Sequence, residues 1–410
     1  MNVWILNHYA VGPNSTGITR HFDLAKELVK LGHNVTIFAA SFNHQKRIEE
    51  QTYAKTQYYN HKNYCDVNFY WIKTLPYKKN NIRRVLNMFS YTYKVNKLAK
   101  KIEQKPDIII GSLMHPLAAL LGYKLAKKMN AKFYFEERDL WPQSLIDLGK
   151  ISRKNPLVTI LSKIELFLYN KADKIIVLFD KAPEYVRGRG ISSDKVVYLP
   201  NGVDLKRYNI ENTTPSRHFK LLSEIKEKNK FLIIYTGAHS LANYLNEMLN
   251  IAKKIEENTN DIHFVLIGDG PEKQNLIKRV DEEGILNVNF LPAVQKEYIP
   301  SLLKCADAGI ITMRDAAVYR WGVSLNKMYD YMAASLPIFM LANLQSSVIE
   351  TENLGFITNG SNKLINGIIQ TYKQPNKVEH YGTNALNYVE NNHSWEVLAK
   401  QLSDVMLNED

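Results

Sequence analysis

The feature that most restricts how this chain can fold is a rhythm of short apolar runs, each closed by a turn and followed by helical periodicity. In the second half Phe231–Thr236 runs into Gly237 and Phe264–Ile267 into G-D-G, and Val288–Leu291, Gly309–Thr312 and Ile338–Leu341 follow. Helical patterns over Tyr244–Ile255, Lys273–Glu283, Tyr298–Cys305 and the stretch after Ser324 separate them. Strands alternating with helices in this way demand a parallel sheet covered on both faces. The first half carries its own series, with strand patterns at Val3–Leu6, Val35–Ala39, Asp107–Gly111, Phe133–Phe135 and Ile175–Leu178. Between the first two, Ile18, Phe22, Ala25, Leu28 and Val29 share one helical face, and Gly32 ends that helix.

Two such series predict an α/β architecture of two doubly wound domains whose parallel sheets face across a cleft. The length of 410 residues fits, because one ordinary core does not grow that large. The expected division is a first domain over 1–205 and a second over 206–384, with a C-terminal helix over 385–410 that can pack back on the first. The polar stretch Glu211–Lys230, which lacks strong periodicity, reads as the linker.

With 45% hydrophobic and 23% charged residues, the chain is globular and neither disordered nor fibrous. No apolar run approaches the roughly 20 residues needed to span a bilayer. The segment Met1–Leu6 enters a strand pattern without a basic leader, so a cytoplasmic location is expected. Cys65 and Cys305 are the only two cysteines, and no HExxH, H-x-E or CxxC pattern occurs, so neither a disulfide framework nor a protein-bound metal is expected. A formal charge of +12 calls for an anionic partner, whether nucleic acid, a phosphorylated ligand or an acidic membrane, or else serves solubility alone. Within Lys78–Lys105, Ile82, Val85, Leu86, Phe89, Tyr93, Val95 and Leu98 are spaced like one apolar helical face. Such a basic amphipathic helix suits an anionic membrane surface. It equally suits a domain helix with a solvated Lys/Arg face.

Candidate sites gather at the ends of the strand patterns, where ligands bind in open α/β sheets. In R-W-G-V-S-L-N-K-M-Y-D-Y-M-A-A-S-L-P, Ser324 reads as a helix N-cap, with Met328, Tyr331 and Met332 at helical spacing and Lys327 one turn in. A helix so entered aims free N–H groups at whatever lies before Val323 and Ser324, a ready anion site. An ordinary capped surface helix is the plainer reading. In the first half the loop H-Y-A-V-G-P-N-S-T-G, bracketed by Gly12 and Gly17, lacks G-x-G-x-x-G spacing and reads as a flexible lip. His115 stands at the head of the helix Pro116–Lys128. Glu136, Glu137, Arg138 and Asp139 follow the Phe133–Phe135 strand, positioned either for chemistry or as structural charge pairs.

Taken together, the Gly12–Gly17 loop with G-H-N-V-T, E-R-D-L-W-P-Q-S-L, V-V-Y-L-P-N-G-V-D, F-V-L-I-G-D-G-P-E and V-S-L-N-K-M-Y-D-Y-M-A-A resemble a retaining nucleotide-sugar glycosyltransferase of the GT-B fold, family four. The likeness covers nearly the whole chain and is greatest to the branch that builds bacterial capsule and O-antigen units, including transferases for N-acetylated amino sugars. The resemblance implies that the second domain holds a UDP-sugar. Asp330 then matches the second carboxylate of the family's paired motif and accepts the ribose hydroxyls. Gly17, Gly237, Gly268 and Gly270 line the donor site, the N–H groups of Val323 and Ser324 hold the diphosphate, and His115 lies near the donor sugar. Asp139 joins His115 as a catalytic candidate.

Two departures from the family pattern stand out. Gly322 occupies the place of the first motif glutamate, and A-H-S-L-A-N after Gly237 replaces the usual Arg and Lys. A leaving diphosphate still needs cations. Lys327 is the best-placed substitute, followed by Arg320 and Arg314, with His239 the weakest. The expected activity is transfer of a sugar onto a lipid-linked saccharide at the inner membrane face, without a metal or other cofactor. A sugar-nucleotide epimerase of the same fold is one rival; a basic nucleic-acid-binding protein is another, although no recognised nucleic-acid motif is present.

Overall fold

The computed structural model describes residues 1–13, 15, 18–44, 46–209 and 216–408. The chain divides into one unit of residues 1–200 with 395–410 and another of residues 201–394.

The first unit is built on β1 (Asn2–Leu6), α1 (Arg20–Lys30), β2 (Asn34–Ala40), β3 (Tyr59–Tyr64), β4 (Val67–Ile72), α2 (Ile82–Ala99), β5 (Ile108–Ser112), α3 (Pro116–Met129), β6 (Lys132–Glu137), α4 (Pro156–Lys171), β7 (Lys174–Val177) and β8 (Val196–Tyr198). The strand order is β8-β7-β6-β5-β1-β2-β4-β3, parallel except for the β3–β4 edge. The middle strands are apolar throughout because helices cover both faces: Ile108, Ile109 and Ile110 in β5 are all buried. The C-terminal helix Trp395–Leu407 belongs to this unit and packs on α1, adding Leu398, Ala399, Leu402 and Met406 to its core.

In the second unit α5 (Ser216–Glu227) precedes β9 (Phe231–Thr236), α6 (Leu245–Glu256), β10 (Ile262–Ile267), α7 (Lys273–Glu283), β11 (Val288–Leu291), β12 (Ala308–Thr312), α8 (Asn326–Ala333), β13 (Ile338–Leu341), β14 (Gly355–Thr358), α9 (Ser361–Tyr372) and α10 (Pro375–Asn392). The sheet is β11-β10-β9-β12-β13-β14, parallel throughout. In both sheets the order reverses beside the first strand of the unit, β1 or β9. The carboxyl ends there are the places where an open sheet leaves a crevice for a ligand.

Three expectations need correction. The stretch expected as a linker contains α5, which buries Leu222 and Ile225 against the second unit's core; residues 211–215 lie outside the described residues. Its polar face hides the pattern, since only those few positions meet the core. The face expected on α2 is split. Val95 and Leu98 are buried with Asn87 and Tyr91, whereas Ile82 is 69% exposed, Phe89 54% and Tyr93 68%. Ile82, Val85, Leu86, Phe89 and Tyr93 therefore stay uncovered. Finally, Ser324 is not the N-cap: α8 begins at Asn326 after Leu325, without a side-chain cap.

Candidate active site

In the second unit the site candidates meet at the end of β9. Gly237 follows that strand with φ +145°, and its N–H donates to Ile267 O at 3.0 Å. A Cβ on Gly268 would run into the Gly237 carbonyl oxygen, and one on Gly270 into the His239 backbone, so glycine is required where these turns touch. His239 N donates to Asp269 O at 2.8 Å and Glu272 N donates to His239 O at 3.0 Å, which fastens the two turns together. The His239 ring is fully buried, and burial pushes its pKa down to about 4, so it remains neutral.

Lys327 reaches this place from the first turn of α8. Its Nζ donates to Tyr235 Oη at 3.0 Å and to Asn243 Oδ1 at 2.9 Å, and lies 4.3 Å from the Tyr235 ring centroid. Both oxygens are neutral, and among the described residues no carboxylate pairs with this ammonium. Burial without a counter-charge lowers its pKa to about 7. The chain thus brings Lys327 to the loop in which the sequence lacks the usual cations. Tyr331, on the same helix, takes a hydrogen bond from Thr236 N at 2.9 Å and so ties α8 to β9.

The other candidates in this unit are engaged by their surroundings. Ser324 Oγ accepts from Asn201 N and Ser324 O from Asn201 Nδ2, both at 2.9 Å, while Val323 beside it is partly buried. Asp330 Oδ1 accepts from Tyr208 Oη at 2.9 Å. Gly322 has φ +95°, a conformation that leaves the expected carboxylate position to a backbone turn. Arg320 stacks on Trp321 at 4.8 Å and Arg314 on Tyr244 at 5.7 Å, so neither shares the contacts of Lys327.

In the first unit His115 is the N-cap residue of α3, yet its side chain makes no cap bond. It turns instead to His8, which follows β1: His8 Nδ1 and His115 Nε2 lie 2.8 Å apart. Both rings are buried, which lowers both pKa values, that of His115 to about 3, with Arg84 adding to the effect. The pair therefore shares hydrogen-bonding protons as neutral imidazoles. Sequence reasoning missed His8, although its place immediately after the strand at the reversal point was a usable signal.

The acidic run after β6 separates into distinct roles. Glu136 joins Arg20 Nε at 2.9 Å and His21 Nε2 at 2.6 Å, and Arg20 also donates to Leu199 O at 2.8 Å and to Pro200 O. Burial acts to raise the Glu136 carboxyl, but His21 and Arg20 outweigh it and hold the group well below the usual carboxylate range. Glu137 accepts from Tyr169 Oη, and burial next to Glu165 pushes its carboxyl well up. Arg138 and the exposed Asp139 form no ion pair with each other; with His8 they line a cavity of about 350 Å³. Gly17 lies outside the described residues. Among the described residues no three His, Cys, Asp or Glu side chains converge as a metal site would require.

Two Rossmann-like parallel-sheet units, with paired glycine turns and a lysine gathered at the reversal point of the second, make up the GT-B fold of the solved glycosyltransferases that this chain resembles. The matches are in keeping with this: residues 16–207 fit the family model described as Glycosyltransferase Family 4, and residues 219–388 fit Glycosyl transferases group 1. The chain is 20% identical over 312 residues to WcaI of Escherichia coli K12, a glycosyl transferase assigned to colanic acid biosynthesis, covering 74% of this chain and 75% of WcaI. Sucrose-phosphate synthase from Thermosynechococcus elongatus shares the fold at TM-score 0.74 and 15% identity, covering 99% of this chain and 98% of its own. Anabaena HepE, solved with UDP, superposes over 100% of both chains at TM-score 0.72 and 15% identity. WaaG, a glycosyltransferase involved in lipopolysaccharide biosynthesis, does so over 99% of both chains at TM-score 0.66 and 14% identity. These matches favour neither the epimerase nor the nucleic-acid-binding alternative.

Proposed function

We propose that this enzyme moves a sugar, of the N-acetylated amino class, from a UDP donor to a lipid-linked saccharide during cell-surface polysaccharide synthesis, with retention at the anomeric carbon. The observation that carries the donor half is the Lys327 ammonium, held by neutral oxygens beside Gly237 with no carboxylate among the described residues to balance it. A diphosphate supplies the missing counter-charge. As the anomeric C–O bond breaks, negative charge grows on the leaving phosphate, and Lys327 stabilises it more than it stabilises the intact donor. The acceptor hydroxyl attacks from the same face and passes its proton to that phosphate, so no protein nucleophile is required. Asp330, oriented by Tyr208, is the ribose-binding group in this scheme, while Gly268 and Gly270 give the nucleotide room. His115 attends the sugar. His8 holds its ring.

Thermal unfolding with a nucleotide panel tests the donor. UDP at about 100 times its dissociation constant should add roughly 2.7 kcal/mol of stability. GDP and ADP at the same concentration should add less, and equal shifts from all three would remove the basis for naming UDP.

The membrane half of the reading rests on α2, whose exposed Ile82, Val85, Leu86, Phe89 and Tyr93 alternate with Arg83 and other basic residues. No described helix is long and apolar enough to cross a membrane, and α2 suits a surface contact. Vesicles rich in anionic lipid should co-sediment with the protein, and salt should weaken the binding. Replacing Lys78, Lys79 and Arg83 with Gln should cost about 1 kcal/mol per basic residue near the surface. Identical co-sedimentation of the triple variant and the wild type would make α2 an ordinary domain helix.

A further inference from the structure

The cavity of the first unit has a charge that the transferase reading leaves unexplained. Arg84, from the first turn of α2, and Arg138, just beyond β6, both line it, together with Lys150 and the rings of Tyr9, Trp71 and Trp141. Neither guanidinium forms an ion pair or a side-chain hydrogen bond among the described residues, and the Nε of each is buried without an acceptor. The nearest recorded partner of Arg84 is the face of Tyr9, 6.0 Å from its Cζ. Of the two carboxylates in the wall, Glu50 is already taken by Asn43 at 2.8 Å and Lys46 at 3.4 Å, and Asp139 is exposed. The histidines beside Arg84, His8 and His44, are held neutral by burial and by Arg84 itself, so they neither add charge nor remove it.

Arg138 feels the charge of Glu136, but that carboxylate is hydrogen-bonded to Arg20 and His21, and among the described residues neither guanidinium has a carboxylate in ion-pair contact. Two guanidinium groups so placed in one pocket are costly unless an anion arrives, and their fork geometry fits the paired oxygens of a phosphate or carboxylate. We infer that this cavity receives an oxyanion of the acceptor, gripped by Arg84 and Arg138. The inference rests on the transferase reading for the word acceptor. Its chemistry rests on the cavity alone. Arg84 sits on the same helix as the uncovered Ile82, Val85 and Phe89, so an apolar chain attached to the bound phosphate has a surface along which to leave.

Calorimetry on the full chain tests this, with UDP present at saturation so that probes cannot occupy a nucleotide site. The probes are inorganic pyrophosphate, farnesyl diphosphate below its micellar concentration, and glucuronate. Arg84→Gln and Arg138→Gln should each weaken the bound probe about tenfold or more, the double variant further, while UDP binding stays as in the wild type. Binding of the two diphosphates, with farnesyl diphosphate the tighter, identifies a lipid phosphate as the source; binding of glucuronate alone identifies an acidic sugar. If no probe binds, or if the double variant binds them as the wild type does, the inference is wrong. A chain that binds probes through these arginines but not UDP would instead overturn the donor reading. Should a Gln variant fail to fold, Arg84→Lys and Arg138→Lys keep the charge, lose the fork, and should still weaken the diphosphates severalfold.

Discussion

Lys327→Ala is expected to lower kcat by about 10²–10³-fold at saturating donor, the range seen when one preorganised charge-stabilising group is lost. Donor affinity should fall less, because the ammonium gains most of its advantage as charge develops on the leaving phosphate. Folding should survive, since Tyr235 donates to Ala238 O at 2.8 Å and Asn243 Nδ2 donates to the same oxygen at 2.8 Å without help from the lysine. Near-normal turnover by this variant would show that the diphosphate is neutralised elsewhere.

The pH dependence follows from the same group. Its pKa in the free protein is lowered to about 7 by burial, so below that value the site is already cationic and above it the amine must take up a proton to bind a diphosphate. UDP-sugar affinity should therefore be flat on the acid side of 7 and weaken towards tenfold per pH unit on the alkaline side, until the raised pKa of the complex is reached. The other titratable groups facing Lys327 do not interfere: His239 stays neutral above about 4, and burial raises the phenols of Tyr235 and Tyr331 out of range. Calorimetry in buffers of different ionisation enthalpy should register proton uptake at pH 8 that vanishes in Lys327→Ala. Absence of uptake in the wild type would mean the ammonium is charged before the ligand arrives.

Glu136→Gln is expected to destabilise the protein by about 3–5 kcal/mol, the usual result of leaving a buried charge without its partner. The residue left behind is Arg20, which still reaches the Leu199 and Pro200 carbonyls but loses the carboxylate that balances its charge. Because the Glu136 carboxyl is held below its unfolded value, its contribution is fully present above the usual carboxylate pKa and disappears as the pH falls through the folded one. Urea unfolding of wild type and variant should thus differ widely at pH 7 and converge in acid. A small difference at pH 7 would mean that Arg20 finds water or another acceptor.

The sequence determined the two parallel sheets, because a strand buried on both faces must be apolar along its whole length and a crossover helix must show one apolar face. The apolar runs of the second half were readable for that reason. It also determined that the loop after Gly237 carries no arginine or lysine. What it left open depends on neighbours far away in the chain. Whether the apolar residues of α2 are core or surface is decided by what lies on them, and β2, β4 and α3 cover only the side of Tyr91 and Val95. Ser324 has the chemistry of a cap, but Asn201 claims it first. Periodicity cannot show that Lys327 turns inward to Tyr235 and Asn243, or that His115 meets His8, because side-chain meeting points are set by sheet order and not by spacing along one element. Charge pairing obeys the same limit: adjacent Glu136, Glu137, Arg138 and Asp139 have nearly identical local sequence, and only the packed fold gives the first to Arg20 and His21, buries the second against Tyr169, and leaves the last two facing a cavity.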